Sequence, residues 1–352
     1  MDGNHTFSGG GDVIFMLNNG SRLRVHSVIL KSASPIFRAM FGPHFSEGQR
    51  LSEKDPREVA LPDDHPQAMT IICAVLHHQS DTMAGPTMEV LREIALMVDK
   101  YDLLPAIRTT TQIWLNTKAE EARHGCYGLD GAQGLLEAAY LFDNAQAFKS
   151  ISRDLILFTR ESFHDIRDKL HFLSDKALCI WIATLEKTRT KAYQDIAEAA
   201  ERVVFRWYNG RSGKIDGNFE TPESCGQKFI HKFGSNKDSI RQPDPEDNSV
   251  AAHLDYWKDS DYPDRVMDQG TFTIRWIDWA ENYGFCDVCQ NSGELIRNLK
   301  NLLHVEMERQ SRRINGLCLE CVRNGDSCPA RGCRLPHKTS DWVEVISEDE
   351  IY

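Results

Sequence analysis

Six of the ten cysteines in this 352-residue chain fall within its last 67 residues. Cys286-Asp287-Val288-Cys289 and Cys318-Leu319-Glu320-Cys321 are two CxxC pairs separated by 28 residues, and behind them stand Cys328, Cys333 and His337. A CxxC turn presents two thiolates about one tetrahedral edge apart, and a second such turn completes the four sulfur ligands that zinc takes in structural sites. Cys286, Cys289, Cys318 and Cys321 are therefore the first ligand set for a structural zinc ion. A closed four-ligand site has no position for water, so it holds a fold and hydrolyses nothing. A mixed set, Cys318, Cys321, Cys333 and His337, is chemically acceptable too. The presence of zinc is thus better determined than the pairing of its ligands.

A third set, Cys321, Cys328, Cys333 and His337, is spaced by six, four and three residues and resembles CCCH zinc fingers, which implies contact with RNA. The intervals VRNGDS, PARG and RLP hold no aromatic ring to stack on a base, so nucleic-acid binding is disfavoured. Arg309, Arg312, Arg313, Arg323, Arg331, Arg334 and Lys338 flank the region, but such residues also coat ordinary helices. Counting His304, the eight ligands of a cross-braced RING appear only in the wrong spacing. No βαβ pattern surrounds Cys286, which excludes a thioredoxin-like redox CxxC, and no GxGxxG, P-loop, GxSxG or HExxH motif occurs. The chain is expected not to be an enzyme.

Whole-chain charge bears on nucleic-acid binding. With 41 Lys plus Arg against 52 Asp plus Glu the net charge is −11, which repels a phosphate backbone. The longest strongly apolar stretch, Leu178 to Leu185, falls short of the roughly 20 residues a bilayer span needs, and the polar N-terminus has no signal core. The expectation is a protein of the nucleus or cytoplasm, where cysteines stay as thiols or metal ligands. Cys73 and Cys179 lie inside apolar helical patterns and are expected to be small buried hydrophobes.

The elements that must position these residues begin with a hairpin. After a flexible SGGGD lead, Val13 to Leu17 is expected as a strand buried on both faces, Asn18-Asn19-Gly20-Ser21 as its turn and Arg22 to Val25 as its partner. His26 to Ala33 suits a short helix, with the His26 imidazole satisfying backbone groups at its start. Ser34-Pro35 caps a second helix over 36–41, whose Phe37, Met40 and Phe41 should be core. Glu58 to Leu61 has strand character, His65-Pro66 opens a helix carrying Met69, Ile72, Cys73 and Leu76, and 88–101 is a helix with a broad apolar face.

In this order the residues Gly11-Asp12-Val13, His26, Leu30, Ser34, Phe37, Met40, Phe41, Ala95, Asp99-Lys100-Tyr101 and Leu104 give residues 8–118 a close resemblance to a BTB/POZ domain. The resemblance implies an α+β fold of short strands with helical hairpins, a homodimer, and partners among transcriptional co-regulators or cullin scaffolds of ubiquitin ligases. Phe45-Ser46-Glu47 matches the family's hydrophobic-x-acidic element that contacts the cullin, which makes those three the candidate partner-binding residues. The basic residue that many transcription-factor BTB domains carry after the histidine is Ser27 here, which weakens a DNA-regulator role.

The rest is expected to be mainly α-helical. Residues 119–208 look like the BACK-like helical extension of fungal BTB-containing proteins, including a long helix over 175–208 with a stripe at Leu178, Ile182, Leu185, Ile196, Ala200, Val203 and Trp207. That stripe keeps no strict heptad, so packing on the preceding helices is expected over a coiled coil. Residues 209–249 should form a flexible linker, 250–340 an aromatic and Cys-rich zinc-binding module, and 341–352 an acidic tail. Within the module a helix over 294–314 carries the stripe Leu295, Leu299, Leu302, Leu303 and Met307.

Overall fold

The computed structural model describes residues 3–79, 85–124, 129–164, 175–209, 249–258, 293–324 and 333–335. Four short strands form one sheet in the order β1-β3-β2-β4: β1 (Asn4–Thr6), β2 (Val13–Leu17), β3 (Arg22–Val25) and β4 (Arg57–Leu61). The expected hairpin is the centre of this sheet. Gly20 sits at φ 82° in its turn, a conformation that costs a glycine little and most residues much. β4 joins β2 in parallel, and β1, ahead of the SGGGD lead, pairs in parallel with β3.

Side chains alternate across the strands: Val13, Phe15 and Leu17 are buried, while Ile14 and Met16 are only half-covered. One face of β2 is core, rather than both, as the period of two along a pleated strand requires when helices cover a single side. Those helices are α1 (Ser27–Ala33), α2 (Pro35–Met40), α3 (Pro66–Leu76) and α4 (Met88–Lys100). Val90, Leu91, Ile94, Ala95, Met97 and Val98 of α4 are all buried, as the helical spacing indicates. Phe15, Phe37 and Phe41 stack, and Tyr101 lies 4.5 Å from Phe37 between ring centres. Met40 lies at the margin of this core, half-buried.

Polar side chains lock the helix starts. Asp12 accepts from the Ser27 backbone N–H at 2.7 Å and from its hydroxyl at 2.6 Å, while His26 Nδ1 accepts from Val28 N–H at 3.4 Å. Ser34 caps α2 by accepting from Phe37 N–H at 3.0 Å and donates its own proton to the Tyr101 carbonyl. His77 joins the ends of two elements: its Nε2 accepts from His26 N–H at 3.0 Å, and its Nδ1 lies 2.8 Å from the Cys73 carbonyl. Burial lowers its pKa, which suits this neutral, two-partner role.

After α4 come α5 (Leu104–His124), bent at Ile107, then α6 (Leu129–Leu141), α7 (Ala145–Phe158), α8 (Asp175–Asn209), α9 (Val250–Lys258), α10 (Gly293–Arg313) and α11 (Leu319–Asn324). The chain divides into two compact units. One comprises Met1–Ser152 with Leu317–Trp342; the other comprises Arg153–Gly316 with Val343–Tyr352. Residues 210–248, nearly all of the expected linker, lie outside the described residues.

In the second unit α8 packs on α9 and α10, the helices that follow it. Ile182, Leu185, Ile196 and Ala200 are buried there. The charged residues that interrupt the α8 stripe pin the turn at 161–164, because Glu186 accepts from Phe163 N–H at 2.8 Å and Arg189 donates to the Glu161 carbonyl at 2.7 Å. Arg153 donates to the carbonyls of Ser311 and Ile314, both at 2.9 Å, and so satisfies the end of α10. On α10 Leu303 and Met307 are buried, but Leu302 is exposed. None of the described helices is long and apolar enough to cross a membrane.

Candidate functional site

The C-terminal cysteines enter the first unit through α11. Val322 N–H donates to the Cys318 carbonyl at 3.0 Å, which makes Cys318 the residue at the head of α11 and sets Cys321 one turn further on. Leu317, Leu319 and Val322 are buried, and Leu317 N–H donates to the Ser152 hydroxyl at 2.8 Å. The chain then returns with Cys333, whose sulfur lies 3.7 Å from that of Cys321. Ligand atoms of Cys318, Cys321 and Cys333 are all within 4.8 Å of one another.

Two zinc–sulfur bonds of about 2.3 Å at the tetrahedral angle put their sulfurs about 3.8 Å apart. The Cys321–Cys333 separation matches that edge, whereas a disulfide requires about 2.05 Å. The three thiols can therefore hold a soft divalent ion with little rearrangement. Cys286, Cys289, Cys328 and His337, the other expected ligands, lie outside the described residues. Of the expected sets, the described residues bring together the three thiols of the mixed one.

The cluster sits beside a charged clamp that sequence reading missed. Asp143 occupies the turn between α6 and α7 with φ 53°, and Arg334 grips it twice, Nη1 to Oδ2 at 2.9 Å and Nη2 to Oδ1 at 2.7 Å. Arg323 pairs with the same carboxylate, donates to the Tyr140 carbonyl at 2.6 Å and stacks on the Tyr140 ring. Burial works against ionised Asp143, but the hydrogen bonds from Arg334 and Arg323 outweigh it and hold the carboxyl below its ordinary range. Arg334 also reaches Glu320. Its side chain is 44% exposed, and pairs so open to water contribute about 0.2 to 1 kcal/mol each. A structural zinc ion, by contrast, contributes roughly 10 to 16 kcal/mol in small finger peptides.

The other expected site lies on the first unit's surface. Phe45 is 53% exposed, just ahead of a 3-10 turn over Ser46–Gly48, and the Ser46 hydroxyl donates to Glu47 at 3.0 Å. Gly48 is required there, because a Cβ at that position would come within 2.1 Å of the Gly42 carbonyl oxygen. Val28 on α1 and Ile36 on α2 also leave large apolar side chains in water, at 59% and 44% exposure.

Titratable groups inside the unit are occupied structurally. Asp64, 1% exposed, accepts from Lys100 Nζ at 2.6 Å and from the Tyr101 hydroxyl, and burial with that bond raises the Tyr101 pKa. Glu137 on α6 is fully buried and meets Arg92 on α4; burial outweighs the guanidinium and pushes its pKa up to about 7. Cys73 is wholly buried and its thiol pKa is raised, as a core cysteine requires, while Cys179 is only half-buried.

With this sheet, helix order and locking network, residues 6–117 match the family model of the BTB/POZ domain, two residues earlier at the start than the resembling motifs suggested. The chain carries a BTB/POZ domain, a module of protein interaction, followed by helices in both of its compact units. No curated protein and no solved structure matches the chain.

Proposed function

We propose that this chain is a non-enzymatic interaction protein that pairs with a second copy of itself through its BTB/POZ domain and holds other polypeptides, with a structural zinc ion in its C-terminal region. The match over residues 6–117 carries this reading. Exposed Val28 and Ile36 support self-pairing, since apolar side chains of this size are covered at little cost when two copies meet. The non-enzymatic reading is supported by the titratable groups: Asp64, Tyr101, His77 and Glu137 all serve neighbouring structural partners. Sedimentation of the full chain tests it. A dimer that becomes a monomer on Val28→Asp with Ile36→Asp is expected, and a strictly monomeric wild type overturns it.

A second reading, substrate adaptor of a cullin-based ubiquitin ligase, is favoured by Phe45 standing in water beside a turn pinned at Gly48. Cullin capture by the wild type and its loss in Phe45→Ser and Glu47→Lys supports this role. Absence of capture by the wild type removes it and leaves self-pairing untouched.

A further inference from the structure

We propose that one zinc ion is bound by the thiolates of Cys318, Cys321 and Cys333, and that by cross-linking them it ties residues 333–335 to α11 beside the corner where α6 turns into α7. This rests on the zinc reading above and goes beyond it in naming the ligands and what they hold in place. The sulfurs already gather within 4.8 Å, with one pair at the spacing of a tetrahedral edge. Thiolates are soft ligands that select zinc over the hard cations magnesium and calcium. A metal at this point joins two pieces of chain with very different anchorage.

The first piece, α11, is held by its own core contacts through Leu317, Leu319 and Val322, and by the bond from Leu317 to Ser152. The second, residues 333–335, has a half-buried cysteine, a half-buried leucine and the open ion pairs of Arg334. Those pairs aim the segment at Asp143 but are too exposed to immobilise it. A bond from Cys333 to an ion anchored on Cys318 and Cys321 ties the segment covalently to α11. Three thiolates around a dication leave a net negative charge, and Arg334, next to Cys333, and Arg323, two residues after Cys321, place guanidinium groups beside it in sequence. One position of a tetrahedral ion remains; Cys328 and His337 are the nearest remaining soft donors along the chain.

The test uses the full chain purified with zinc and a non-thiol reductant. Metal content, the spectrum of the cobalt-substituted protein, and hydrogen exchange of peptides spanning 317–335 and 140–148 are measured before and after chelation. Expected are about one equivalent of zinc, the charge-transfer bands of thiolate-bound tetrahedral cobalt, and exchange in both peptides about tenfold faster once the metal is removed. Cys333→Ser should give the same loosening, while Cys286→Ser with Cys289→Ser should leave these peptides protected. Zinc that stays bound and peptides that stay protected in Cys333→Ser overturn the ligand set but keep the zinc reading. Protein without zinc, or with a Cys321–Cys333 disulfide under these conditions, overturns both. Chelation that removes zinc without changing exchange overturns the clamp alone.

Discussion

Asp64 and Asp143 each hold two basic or hydroxyl partners, yet they belong to different kinds of structure. Asp64 is 1% exposed and its partners, Lys100 and Tyr101, arrive at the end of α4 in the same BTB/POZ domain. Asp143 keeps 27% of its side chain in water, and its partners Arg323 and Arg334 come from 180 and 191 residues away. Asp64's partner Tyr101 stacks on the wholly buried Phe37, so the carboxylate adds to a packed core. Around Asp143, Arg334 is aligned by its charge, while Arg323 is brought in by the packing of α11. A buried polar bond inside a packed domain is costly to lose, whereas an exposed clamp between distant segments steers more than it stabilises. The proposed zinc bears on the second region, whose partners are far apart in sequence and open to water, and not on the first.

The contrast is sharpest in the cost of removing each partner. Asp64→Ala leaves the Tyr101 hydroxyl buried without its acceptor, while the 45% exposed Lys100 turns to water, and should cost about 3 kcal/mol in urea unfolding of the first unit. A loss below about 1 kcal/mol would erase the distinction between the two aspartates.

Arg92→Ala comes next, because it strands Glu137 in the core with no counter-charge. Its expected cost is about 2 to 3 kcal/mol at about pH 8, reduced for the partly exposed guanidinium, and clearly less at about pH 5, where Glu137 takes up a proton. The wild type carries the same sign. Folding raises the Glu137 pKa from an ordinary 4.5 to about 7, so its contribution is full below pH 4.5 and is lost as pH rises through about 7. Melting curves of Glu137→Gln across that window should lack this decline.

Asp143→Ala should cost about 1 kcal/mol or less in global stability, while exchange across 317–335 quickens. Its pH dependence is opposite to that of Glu137. Folding lowers the Asp143 pKa below its ordinary 3.8, so its contribution is present above that value and disappears as pH falls through the folded value. Smallest of all, Glu47→Lys at the surface turn should leave thermal stability within about 0.5 kcal/mol, so any effect on partner capture is a binding effect.

The BTB/POZ half of this contrast was readable along the chain because its determinants are local. Ser34-Pro35 starts a helix by capping chemistry that spans three residues, and the α4 stripe declares its buried face by period alone. His26 showed its capping role in the same way. Residues missed were those whose partners lie elsewhere. Nothing near Asn4 announces that it will pair with Arg22, and nothing near Asp143 points to Arg334. Leu302 satisfied the spacing of the α10 stripe and is nonetheless exposed, because period places a side chain on a face but not a neighbour against it.

From its residues alone the chain determines a sheet with covering helices at its start, the helices beyond, and a crop of cysteines near its end suited to a soft metal. Those follow from propensity, capping and ligand chemistry, which act over a few residues. Which thiols meet was decided only in three dimensions, where Cys333 returns beside Cys318 and Cys321 next to a carboxylate that the sequence sets almost two hundred residues earlier. Spacing limits how ligands can pair, but the pairing itself is a long-range contact, fixed by the packing of α11 and the charges at the α6–α7 corner.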